Sequence, residues 1–83
     1  MSKSKGMKFD NIDFYINLSL NIGYYRRLCG YTQAQLAEIV DLSPSFLGAL
    51  EAPNCERRCS LETLFDIARA LNIEPYKLLK PKD

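Results

Sequence analysis

Apolar residues along this chain recur at helical spacing throughout. From about Asp10, Phe14, Leu18, Ile22, Tyr25 and Cys29 follow at steps of four, four, three and four, which predicts one face of a first helix. A second row, Ile12, Ile16, Leu20 and Tyr24, lies on nearly the opposite face. Gly30 is a natural stop, because glycine most readily takes the left-handed conformation after a helix. Thr32 and Gln35 then form a capping box that opens a second helix carrying Leu36, Ala37 and Val40. Asp41 and Leu42 alone separate it from a third, which Ser43 caps and Pro44 begins without loss of a hydrogen bond. That helix carries Phe46, Leu47 and Leu50 and closes at Ala52-Pro53. Ser60 caps a fourth, with Leu61, Leu64, Phe65, Ala68 and Leu71 at helical spacing and Asn72 as its left-handed stop. Pro75 starts a short fifth helix with Tyr76, Leu78 and Leu79. No run alternates like a strand and no repeat is visible, so the fold class is all-α with five helices. Residues 1–9, with Lys3, Lys5 and Lys8, are expected as a flexible arm, 10–80 as the domain and 81–83 as a tail.

Composition narrows the function. Eighty-three residues suit one small domain, and 47% hydrophobic with 25% charged residues is a globular balance. Eleven basic residues against ten acidic ones leave a net charge of +1, so any contact with nucleic acid depends on where charge sits. No apolar run approaches the roughly 18 residues of a membrane span. The stretch MSKSKGMKFD has no apolar centre or cleavage site of a secretory signal, so a cytoplasmic protein without membrane contact is expected. There is no histidine, and Cys29, Cys55 and Cys59 are the three cysteines. Their odd number argues against a disulfide framework, and three candidates fall short of a four-ligand zinc site. A Ser–His or Cys–His catalytic pair cannot be formed within the chain, and no paired acid and base stands out. No enzyme activity, metal, cofactor or small-molecule substrate is expected.

Two short helices joined by a tight turn inside a five-helix domain form a helix-turn-helix. Ala37 is small where the helices cross, and Asp41 stands where the turn needs a residue tolerant of positive φ. Leu36, Val40, Leu42, Leu47 and Leu50 would hold the pair together. A generic helical hairpin is the plainer alternative.

The segments GYTQAQLA, SPSFLGALE and SLETLFDIARALNI, within residues 18 to 79, resemble the Cro/C1-type (XRE-family) helix-turn-helix transcriptional regulators of bacteria and phages. The resemblance implies a lambda-repressor-like DNA-binding domain whose third helix enters the major groove of double-stranded DNA. It implies a phosphate contact for Gln33, and base or phosphate contacts for Ser43, Pro44, Ser45, Gly48 and Ala49. Asn54, Arg57 and Arg58 would grip neighbouring phosphates from the loop after the third helix. Arg26 and Glu51 match a structural ion pair of the family, whose use is to set helix register. Repression is the expected sense of regulation.

Two departures matter. Glycine at 48 and alanine at 49 stand where the family commonly places polar or basic side chains, and they can contribute at most a thymine-methyl contact. Phosphate contacts position a protein without specifying sequence, so binding per monomer is expected to be weak and to need dimerisation or the lysine-bearing arm. A helix-turn-helix used mainly for protein–protein contact is the alternative. The loop after the third helix is also longer than usual and holds Cys55 and Cys59 around Glu56-Arg57-Arg58. Arginines there would lower a thiol pKa and favour a redox switch; two ordinary small residues are the plainer reading. Cys29, on the core stripe, is expected to be buried and inert. The row Ile12, Ile16, Leu20 and Tyr24 is expected to meet a second subunit of a homodimer, alongside Tyr76 or Leu79, or else to be covered by the arm.

Overall fold

The computed structural model describes residues 3–53 and 59–81, with side chains described from residue 11 onward. Five helices follow one another: α1 Lys3–Leu28, α2 Gln33–Ile39, α3 Pro44–Glu51, α4 Leu61–Leu71 and α5 Tyr76–Leu79. The local chemistry at each junction takes the expected form. The Thr32 hydroxyl accepts from the Gln35 amide while the Gln35 side chain accepts from Thr32 N. Ser43 caps α3 through Phe46 N, and Ser60 caps α4 through Thr63 N. Gly30, Asp41 and Asn72 adopt positive φ at the three helix ends.

The core is assembled from Leu18 and Ile22 of α1, Leu36 and Ala37 of α2, Leu47 and Leu50 of α3, Leu64, Ile67, Ala68 and Leu71 of α4, and Leu78 of α5. α1 packs mainly on α5 and α3, and α2 on α3.

Several expectations are corrected here. Backbone helix begins at Lys3, so residues 3–9, expected as an arm, extend α1; no proline interrupts them, and the single Gly6 costs only about 1 kcal/mol against alanine. Phe14, expected in the core, is 63% exposed. At about 100° per residue a step of four overshoots a full turn by about 40°, so the row Phe14–Leu18–Ile22 winds off the buried face towards its N-terminal end. Leu61 and Phe65 of α4 are likewise exposed, and Ile67 takes the buried place. Cys29 is exposed rather than buried, because it falls in the turn after Leu28, where its thiol reaches the Leu71 carbonyl at 3.5 Å.

One core contact is polar. Asn21 is 1% exposed, and its Nδ2 donates to the carbonyls of Leu78 at 2.9 Å and Lys80 at 2.8 Å. Those carbonyls belong to the end of α5, where a four-residue helix leaves acceptors unsatisfied. Asn21 therefore ties α5 to α1 through the backbone.

Candidate nucleic-acid interface

The α2–α3 unit is built from a few local decisions. Val40 N bonds Leu36 O, and Leu42 N bonds Ala37 O at 2.8 Å, closing α2 over the left-handed Asp41. Ala37 is fully buried where the two helices approach, and Leu36, Leu47 and Leu50 fill the space behind them. The first turn of α3 is thereby pushed outward. Ser43, Pro44 and Ser45 are exposed, while Gly48 and Ala49 are half-buried. The Ser43 hydroxyl already accepts the Phe46 amide, so it can still donate its own hydrogen outward.

A polar junction joins α1, α2 and α3. Arg26 Nε donates to Glu51 Oε2 at 2.7 Å and Nη2 to Oε1 at 3.1 Å, a bidentate pair. Arg26 Nη1 donates to the Tyr31 carbonyl at 2.8 Å. Gln33, at the first position of α2, donates from Nε2 to Glu51 Oε1 at 3.0 Å. The Arg26 and Glu51 side chains are only 12% and 7% exposed. Glycine at 23 leaves room beside α1: a Cβ there would lie 3.1 Å from Arg27 Nη1 and 3.3 Å from Glu51 Oε1. Gly48 lies against α2, where an added Cβ would meet Gln33 Oε1 at 3.4 Å.

The structure thus gathers Gln33, Ser43, Pro44, Ser45, Gly48 and Ala49 along α2 and α3, with Arg26 and Glu51 beneath them. Asn54, Cys55, Arg57 and Arg58 lie outside the described residues. Reading by periodicity missed three contributors: Asn21, Gly23 and the bond from Gln33 to Glu51. The lone asparagine between Leu20 and Ile22 was the available signal for the first, since a polar residue in an apolar stretch needs partners if buried.

The thiol of Cys59 is pushed up to about 11 by desolvation. That shift opposes the arginine-assisted activation expected for a redox loop, for which a lowered value is needed. At pH 8 Cys59 holds on the order of one thiolate per thousand molecules. Alkylation by iodoacetamide at that pH should therefore mark the exposed Cys29 well before Cys59, as peptide mass mapping against time would show; equal rates would contradict the burial. The thiol is favoured in the fold over the unfolded chain, so its contribution to stability holds below about pH 9 and is lost as pH rises towards 11.

Among the described residues no three Cys, Asp or Glu gather as a metal site. None of the described helices is long and apolar enough to cross a membrane.

Comparison with known proteins bears on this geometry. The family described as Helix-turn-helix matches residues 22–78. The control protein C.SmaI of Serratia marcescens is 40% identical over 62 residues, which is 75% of this chain and 71% of that protein. The crystal structure of the restriction-modification controller protein C.AhdI from Aeromonas hydrophila aligns with a TM-score of 0.75 and 29% identity, covering 83% of this chain and 97% of the other. SinR, a master regulator for biofilm formation crystallised in complex with DNA, aligns with a TM-score of 0.70 and 27% identity over 76% of this chain and 98% of its own.

Proposed function

The chain belongs to the helix-turn-helix family as a Cro/C1-type DNA-binding transcriptional regulator, and from that premise we propose that it binds double-stranded DNA as a homodimer, with α3 in the major groove. The observation that carries this reading is the exposed first turn of α3, Ser43-Pro44-Ser45, braced from behind by the buried Leu47 and Leu50. A rigid helix that presents its N-terminal turn outward is the element such modules place against base edges. Ser45 is then the main direct reader, with Ser43 beside it and Ala49 offering a methyl group. Gln33 reaches a phosphate from α2, and Asn54, Arg57 and Arg58, which follow α3 in the sequence, hold further phosphates. In this reading the protein acts in the cytoplasm as a regulator of the controller type.

Serine hydroxyls discriminate weakly, whereas a good bidentate base contact is worth about 1–3 kcal/mol. Two half-sites about one helical turn apart compensate by doubling the contacts. Exposed apolar residues of α1 support the joining of two copies. Leu20 is 50% exposed, with Ile12 and Tyr24 exposed on the same row. Leu20 and Tyr24 border a hollow of about 400 Å³ with Asn17, Arg27 and Pro81. Tyr76 and Leu79 of α5 add further exposed apolar area. Sedimentation at micromolar concentration is expected to show a dimer that Leu20→Asp converts to monomer; a monomeric parent protein would refute the homodimer.

DNA binding is tested by selecting bound duplexes from a genomic library and measuring their affinity against salt. A steep loss with rising salt is expected. Arg57→Ala and Arg58→Ala should each weaken binding uniformly across sequences and lower the logarithmic slope by about 0.9. Recovery of no duplex at low salt would overturn the proposal and favour a protein–protein role.

A further inference from the structure

Gln33 is more constrained than a surface glutamine at a helix start. Its Nε2 donates to Glu51 Oε1, and its Oε1 sits over the bare Cα of Gly48. Glu51 is itself held, because both of its oxygens accept from Arg26, whose remaining nitrogen is anchored on the Tyr31 carbonyl. A carboxylate can only accept hydrogen bonds, so it selects the amide orientation that turns Nε2 towards it. Nε2 carries a second hydrogen, for which no acceptor stands among the described residues.

We infer that Glu51 is a positioning residue for DNA binding: it orients the Gln33 carboxamide so that one N–H is held ready for a backbone phosphate. This rests on the DNA-binding reading above and assigns the ion pair a task beyond helix register. Arg26 balances the carboxylate charge, which allows an acidic group to serve beside a polyanion. Immobilising a long side chain before binding removes that cost from the association step, which corresponds to about three- to tenfold in affinity.

Glu51→Gln separates positioning from simple charge. Removing a negative charge near DNA would by itself tighten binding. The substituted amide, however, has one oxygen where the carboxylate offered two to Arg26 Nε, Arg26 Nη2 and Gln33 Nε2, so its NH2 group must face at least one of these donors. The junction loosens, and Gln33 is no longer held in one orientation.

The test uses the full chain and a duplex recovered by the selection described above, with Gln33→Ala, Glu51→Gln and the double variant. Each single change is expected to weaken binding about three- to tenfold. The double variant should be no weaker than Gln33→Ala alone, and Gln33→Ala should leave the salt slope unchanged, because an uncharged amide neutralises no phosphate and releases no counterion. Wild-type or tighter binding by Glu51→Gln, or losses that multiply in the double variant, would overturn the positioning role. A second readout needs neither variant nor DNA: nitrogen relaxation of the Gln33 side-chain amide in the parent protein. An order parameter near the rigid-backbone value of about 0.85 is expected, and one below about 0.6 refutes the inference even if Glu51→Gln fails to fold. If the selection returns no duplex, the DNA-binding reading has failed, while the relaxation result still decides whether Gln33 is held.

Discussion

Replacing Arg26 with methionine is expected to cost the fold about 3 kcal/mol, the lower end of the range for breaking a buried ion pair. The carboxylate of Glu51, 7% exposed, would keep only the Gln33 amide, and the Tyr31 carbonyl would lose its donor. A domain of this size holds about 5–10 kcal/mol in total. The loss should appear as a fall in Tm of about 12–24 °C. Replacing both partners by apolar residues, Arg26→Met with Glu51→Leu, should recover most of that stability, since no charge is then left buried without a partner. The double variant should still bind DNA less well than the parent, because Gln33 has lost the group that orients it. Thermal unfolding and duplex titration on the same preparations separate the two effects. A double variant that remains as unstable as Arg26→Met would show that the junction is held by something other than charge compensation.

Asn21→Leu is the second large expected effect. It removes both donors that satisfy the α5 carbonyls at 2.9 and 2.8 Å, inside a core where the side chain is 1% exposed. An unsatisfied buried acceptor costs about 1–3 kcal/mol, so a total of about 2–4 kcal/mol is expected. Asn21→Asp should be worse than Asn21→Leu at neutral pH, because an ionised carboxylate would face two carbonyl oxygens with no hydrogen to offer. Chemical denaturation gives the magnitudes, and hydrogen exchange should show loss of protection first in α5. If Asn21→Leu matches the parent, the polar tie between α1 and α5 contributes nothing.

Much of this fold was legible because its punctuation is local. Thr32 with Gln35, Ser43 with Pro44, and Ser60 each act on amides within three residues, and Gly30, Asp41 and Asn72 reverse the chain through their own backbone angles. These choices need no knowledge of distant residues, so reading them in order placed α2, α3 and α4. The first helix was harder. Apolar residues occur on several of its sides, and periodicity cannot say which side meets a partner. Leu18 and Ile22 are buried, whereas Phe14 of the same row is exposed. In α4 the expected Leu64, Ala68 and Leu71 are buried, but Ile67, and not Phe65 or Leu61, completes the buried face.

The site shows the same division. Sequence alone determined that a helix begins at Ser43-Pro44, that a left-handed turn precedes it at Asp41, and that a small residue at 37 lets two helices cross. Short-range hydrogen bonding and steric limits enforce all three wherever the segment stands. Tertiary structure decided that Gly23 admits Glu51 beside α1, that Glu51 holds Gln33, and that Asn21 finds the end of α5 57 and 59 residues away. Those contacts exist because burial leaves each polar group with no water to turn to, and which partner it meets is set by how whole helices pack.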